Sequence, residues 1–458
     1  MPVFLYYGEE AFLLQDAVHA LRQKVVTPEF AVLSHKILSN PSIERGLYAF
    51  LPVRMHTFIA ALLLDPRWRS DRAPLYRQLR DEAPVHWSPR LGMWVVSRYD
   101  DVLAVVQGTD CSVDRFSRID PVTLRERPEL GALQVILRDW AVYRDPPDHT
   151  RLRSLLAQSF TPRQTEGMRP RIQSIVDELL DRALARGSID FVADFAFPLP
   201  ATVVAVMLGV PPGDLDKVRI WSDQIASYIG GAQAGRNNVE TAQQGLLEAC
   251  DYFRRLARAR RERPASDVVS LLIAAEEQGR GLCEDELASN CVLLLFAGHE
   301  TTTNLIGNGL YHLLRHPAEL DRLRRNPELV PSAVEEFLRY DPPVSGTIRI
   351  AVRDLELAGE RIAQGQQVAA MLASANRDPE RFPEPERLDL GRAPNRHLAF
   401  GYGIHFCLGA ALARLEAQIA FRTLLARAPA LRLAEGEPTW KPQVFFHGLE
   451  RLWLELGV

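Results

Sequence analysis

Between Ala399 and Glu416 the chain reads AFGYGIHFCLGAALARLE, crowding Gly401, Gly403 and Gly409 around one cysteine, Cys407, with a helical pattern directly behind it. Glycine opens backbone conformations closed to other residues and costs entropy when fixed. A stretch this rich in glycine makes a tight loop feeding a helix, and what the loop has to present is the Cys407 sulfur. Backbone N–H groups and the positive N-terminal end of a helix both favour a thiolate, and this arrangement offers both. A cysteine without such surroundings is more often a small buried apolar residue, the reading expected for most of Cys111, Cys250, Cys283 and Cys291. None of the five forms a C-x-x-C pair, which fits neither a disulfide framework nor a structural zinc site.

A second constraint sits upstream. The apolar segment EDELASNCVLLLFAGHETTTNLIGNGLYHLLRH has helical periodicity, yet it carries His299, Glu300 and two hydroxyls, Thr301 and Thr302, in its middle. Polar groups there are costly unless they have partners or work to do. A threonine hydroxyl can bond back to an earlier carbonyl and bend the helix, so AGHETT alone fits a kinked core helix as well as a reactive segment. The H-E-x-x-H zinc motif fails because Thr303 stands where the second histidine belongs, and GYGIHF lacks the third glycine of a dinucleotide loop.

Two further pairs sit at helical spacing. EEFLR places Glu336 and Arg339 on one face, able to form an ion pair, and DPPDHTRLR stacks His149 with Arg153 as two donors to one anion. The bland reading of each is a solvated surface.

The pattern F-G-x-G-x-H-x-C-x-G, filled by Phe400, Gly401, Gly403, His405, Cys407 and Gly409, resembles the haem-binding loop of the cytochrome P450 superfamily. AGHETT resembles the oxygen-activation motif of that family's distal helix, and the other motifs follow in the family's order. The resemblance implies that Cys407 is the proximal ligand of haem iron. It implies that Phe400 packs near the sulfur, and that Glu300 and Thr301 relay protons while Ala297 and Gly298 leave room beside them. His149, Arg153 and His405 would meet the haem propionates, with Arg349 and His397 where relatives have further donors. Glu336 and Arg339 would lock the core behind the haem together with an arginine of the irregular segment, here Arg387.

Helical segments dominate from about Thr161 onward, and short strand-like runs cluster at MWVVSRY, TIRIAV, LELAG, QQVAAML and RLWLEL. The expected fold is therefore mainly α with small β-sheets, and the resemblance makes it the family's triangular prism. It covers about residue 73 to the end, giving a haem-thiolate domain over 46–458. Residues 1–45 read as a leader or extension, the first 40 resembling the N-terminus of a clamp-loader delta subunit.

The formal net charge of -4, with basic residues spread along the chain, gives no footprint for nucleic acid. The longest apolar runs fall short of the roughly 20 residues needed to span a bilayer. With no secretory signal pattern, the expected address is the cytoplasm. The implied activity is monooxygenation with haem b, O2 and reducing equivalents, the electrons coming from a ferredoxin or flavodoxin-type donor and its NAD(P)H reductase. A small hydrophobic substrate is implied, contacting the loop before DPPDHT, the SYIGGAQAGRNN turn, PPVSGT and VFF, with Leu294, Val344, Phe445 and Phe446 as candidate lining. The rival readings are an H2O2-dependent peroxygenase, whose relatives replace the distal acid and alcohol, and a non-catalytic haem-thiolate sensor.

Overall fold

The structure is a computed structural model, and it describes residues 67–89, 91–117, 130–230, 236–275 and 282–457. The leader expected over 1–45 and the boundary at 46 lie outside the described residues, as does much of the loop before DPPDHT.

The AGHETT segment is one continuous helix, Glu284–Arg315, of 32 residues. Its start is fixed locally: Cys283 Sγ accepts from the Glu286 N–H, and Glu286 Oε2 accepts from the Cys283 N–H at 3.1 Å. Glu284, Asp285 and Glu286 place negative charge on the positive end of the helix. Cys283 is thus an exposed helix cap rather than a buried thiol, whereas Cys250 and Cys291 are buried and Cys111 half-buried. Beyond the cap most of the helix is buried, as a helix running through a core must be. The apolar residues between Leu287 and Phe296 sit in one hydrophobic cluster, and Leu305, Ile306, Leu310 and Leu313 in another. Helices Pro198–Leu208, Leu215–Ile229, Arg236–Glu262 and Ala410–Arg427 pack around it.

The early strand and two of those from the 347–371 region meet in one five-stranded sheet, ordered Val85–Ser88, Met93–Val96, Gln367–Ala370, Thr347–Ala351, Cys111–Ser112. Met93–Val96 runs parallel to Gln367–Ala370, joining an early and a late part of the chain, and the other pairings are antiparallel. Leu355–Leu357 and Glu360–Ile362 instead form a separate hairpin. The RLWLEL region splits, Leu449–Arg451 pairing with Thr439–Trp440, and Trp453–Glu455 lying between Ser188–Asp190 and Arg432–Leu433. Helix Arg169–Arg186 stops where expected, at Gly187, whose φ of 73° is open to glycine. Between helix Leu372–Ala375 and the turn at Gly403–His405 there is no regular element, as the irregular composition predicts.

Candidate active site

Residues 400–409 form a tight loop ahead of helix Ala410–Arg427. Gly401 and Gly403 both take φ of 71°, a backbone region that side chains disfavour. Gly409 does not share it: its φ is -86°, so its use is a backbone N–H turned to the Cys407 sulfur. The Cys407 N–H donates to the Phe400 carbonyl at 2.8 Å, closing the loop on itself. Phe400 packs on the main core cluster, with the Arg414 guanidinium 4.5 Å from its ring centre. Cys407 is solvent-accessible, yet burial is the strongest influence on its thiol and pushes it up, against the opposing pull of Gly409, Arg153 and Arg414. Those two facts together place the sulfur in a recess rather than on the outer surface.

Arginine and histidine side chains collect around this loop. His149, buried on helix Asp148–Ala157, lies with its ring centre 4.1 Å from that of His405. Arg153, one turn on, donates to the Phe406 carbonyl at 2.6 Å. Burial first, then His149, Arg349 and Arg153, hold His405 down to about 3. Burial lowers Arg349 to about 10. Arg153 and Arg349 carry the charge of this cluster and the two imidazoles add neutral donors, which together make a site for anions.

On the long helix, residues on both sides of AGHETT are buried, but Ala297 is exposed and Gly298 and Thr301 are half-buried. An exposed alanine in the middle of a core helix means that this face looks into open interior space. Thr301 Oγ1 donates to the Ala297 carbonyl at 2.9 Å and Thr302 Oγ1 to Gly298 at 3.2 Å, the back-bonding expected, and the helix stays unbroken. Glu300 is turned elsewhere. It is 2% exposed, and Lys441 Nζ donates to its Oε1 at 2.7 Å. Burial works to raise this carboxyl, but Lys441, His299 and a bond from Asn304 outweigh it, so the net displacement is downward.

Glu336 and Arg339 are both fully buried and joined by two bonds of 2.8 Å. The third member is not Arg387. Arg387 is 59% exposed and pairs with Glu384, while Arg392 donates to Glu336 Oε1 at 3.2 Å and is 9% exposed. What Arg387 contributes is its carbonyl, which accepts from Arg339 and Arg392 at 3.2 Å each. The segment turns at 384–387, and this turn sends the Arg387 side chain outward.

His397 also departs from expectation. Its Nε2 meets Glu335 Oε2 at 3.2 Å and its Nδ1 accepts from the Ala399 N–H, so both ring nitrogens are committed away from a propionate. Glu335 further takes two bonds from Arg414, at 2.7 and 2.8 Å. The carboxylate that captures His397 is the first of the two glutamates of EEFLR.

Of the candidate lining residues, Leu294 is buried on the long helix and Val344 forms a bridge with Phe446. The Phe445 carbonyl accepts from the Ser345 N–H at 2.8 Å. Sequence reasoning missed Lys441 and Arg392. Neither lies in a motif, and each is identified only by the carboxylate it reaches across the fold.

An open face on the core helix, a recessed cysteine with N–H and cationic support, and two arginines with two imidazole donors beside it together fit a haem with two propionates. A sequence model of the family described as Cytochrome P450 matches residues 224–428. The chain is 40% identical over 403 residues to cytochrome P450 107B1 of Saccharopolyspora erythraea, covering 86% of this chain and 98% of that protein. It is 42% identical over 398 residues to cytochrome P450 monooxygenase PikC of Streptomyces venezuelae, covering 85% and 92%. Among solved structures, myxobacterial CYP267B1 in complex with myristic acid superposes with a TM-score of 0.81 at 43% identity, covering 87% of this chain and 99% of that one. P450BioI in complex with an acyl carrier protein ligated to hexadec-9Z-enoic acid gives 0.80 at 37%, covering 85% and 99%.

Proposed function

The chain belongs to the cytochrome P450 family, and from that premise we propose how its residues divide the work of a haem-thiolate monooxygenase. The enzyme inserts one oxygen atom of O2 into a hydrophobic organic substrate, with electrons from a ferredoxin or flavodoxin-type donor and its NAD(P)H reductase. Haem b, when bound, supplies the activation of O2. Cys407 would ligate the iron through a thiolate held by the Gly409 N–H and the neighbouring arginines. Arg153 and Arg349 would meet the propionates with charge, and His149 and His405, displaced toward their neutral forms, would offer ring N–H donors. Ala297 keeps the distal side clear, while Gly298 makes room for Val204 of helix Pro198–Leu208, which a Cβ there would meet at 3.0 Å. Thr301 holds a proton at its hydroxyl on that side, while Glu300, held charged by Lys441 and turned away from that face, relays a proton only after leaving that pair. Leu294, Val344 and Phe445 line the apolar substrate pocket.

The observation that carries this assignment is the exposed Ala297 inside an otherwise buried helix, in a fold that also sets bases around the cysteine loop. Both Thr301 and Glu300 are present, which favours the monooxygenase over the peroxygenase and the sensor. Among the described residues no helix is long and apolar enough to cross a membrane. We assign the enzyme to the cytoplasm and the catalytic domain to 46–458.

The test is the carbon monoxide difference spectrum of the reduced protein. A strongly red-shifted Soret band is expected, and Cys407→Ala abolishes it; an unchanged band in that variant removes Cys407 as the ligand. The same band from a chain lacking residues 1–45 checks the domain boundary.

A further inference from the structure

Arg72 enters the helix Ala73–Glu82 and is 5% exposed, yet among the described residues no carboxylate pairs with it. Its charge is met by oxygen dipoles instead. One terminal nitrogen donates to Ser345 Oγ at 3.0 Å, the Val444 carbonyl at 3.1 Å and the Phe446 carbonyl at 3.4 Å; the other donates to the Gln443 carbonyl at 2.7 Å. The same stretch reaches a third element. The Val444 and Phe445 N–H groups donate to the Gly230 carbonyl at 2.9 and 3.3 Å, and Gln443 Nε2 to the Ala226 carbonyl at 3.4 Å. Val344 and Phe446 complete the junction as a bridge. The end of helix Leu215–Ile229, the Pro-Pro-Val-Ser turn and the Gln443–Phe446 stretch, three separate walls of the pocket described above, therefore converge where one arginine is buried.

We propose that Arg72 is a positioning residue for the substrate pocket, fixing Ser345 and the Gln443–Phe446 backbone so that Val344 and Phe445 keep their places. The inference rests on the pocket assignment made under Proposed function. Burying a cation without a counter-ion is expensive, so this one persists only while several oxygen dipoles converge on it. The planar guanidinium serves both walls at once through fixed directions; an ammonium is a point charge and cannot. Loss of the clamp frees the three carbonyls and lets the wall shift, while the cysteine loop, built on other elements, stays intact.

The experiment compares two ligands of the haem-loaded enzyme by spectral titration: imidazole, too small to reach the wall, and phenylimidazole, whose ring must fit against it. Arg72→Met is expected to weaken phenylimidazole about tenfold, leaving imidazole affinity and the carbon monoxide difference spectrum unchanged. Arg72→Lys recovers part of the loss, and Ser345→Ala gives a smaller loss of the same kind. These two milder variants carry the test if Arg72→Met does not fold. Parent-like phenylimidazole binding in the variants, or an equal loss for both ligands, overturns the proposal. Phe445→Ala separates the two readings. If it leaves phenylimidazole binding unchanged, the pocket assignment fails and the proposal falls with it; if it weakens binding while the Arg72 variants do not, the clamp alone is wrong.

Discussion

Glu300 shows how one side chain is set by what it reaches. Two of its neighbours in sequence are Thr301 and His299, but its charge is held by Lys441, from near the end of the chain, at 2.7 Å. Removing one partner of a buried pair leaves the other uncompensated and costs about 3 kcal/mol. Lys441→Met is accordingly expected to lower the melting temperature at neutral pH, with Lys441→Arg recovering much of it. The sign follows from the downward displacement of Glu300: its contribution is complete above the ordinary carboxylate range and fades as pH falls through the lowered value. The gap between parent and Lys441→Met in thermal melts therefore narrows on acidification, and a gap independent of pH would contradict this account.

At the level of elements, helix Val330–Tyr340 and the irregular 376–397 segment form one locked unit. Arg339 ties them by donating to the carbonyls of Asn376, Pro385 and Arg387 while paired with Glu336. Arg392 adds the return contact, reaching Glu336 from the segment and capping the carbonyls of Pro383 and Glu384. A pair of alanine variants distinguishes it from its neighbour. Arg392→Ala is expected to cost about 2 kcal/mol, because it takes a charged partner from the fully buried Glu336 carboxylate. Arg387→Ala should stay within about 0.5 kcal/mol, as exposed substitutions do. Denaturant unfolding of the two variants measures both, and equal losses would return Arg387 to the network.

Over the whole molecule, acid sensitivity is set by carboxylates held charged between basic partners. Burial would raise Glu335, but Arg414 and His397 outweigh it and hold it at about 2 against an ordinary 4.5. A carboxylate displaced downward stabilises the fold above its unfolded value and loses that contribution as pH falls through the folded one, here between 4.5 and about 2. Allowing for its partial exposure, that is about 2 kcal/mol. Asp341, half-buried between His447 and His312 at 2.6 and 2.8 Å, acts in the same direction. Stability is expected to fall through this window, and Glu335→Gln to flatten part of the fall in melts recorded from pH 5 downward.

The local pattern by itself determined the cysteine loop, the long helix with its hydroxyls, the buried Glu336–Arg339 pair and the run of helices with small strands. Each depends on residues near one another in the chain, where spacing fixes the face a side chain takes. The tertiary structure alone decided which distant charge satisfies which carboxylate. It gave Glu300 to Lys441, Glu336 to Arg392 in place of Arg387, and His397 to Glu335 in place of a propionate. It also brought Arg72 to two pocket walls and laid Met93–Val96 beside Gln367–Ala370. Arginine and lysine are common, long and flexible, so sequence position says little about where the charge arrives; only the packed backbone sets the distance at which a buried carboxylate or a row of carbonyls captures it.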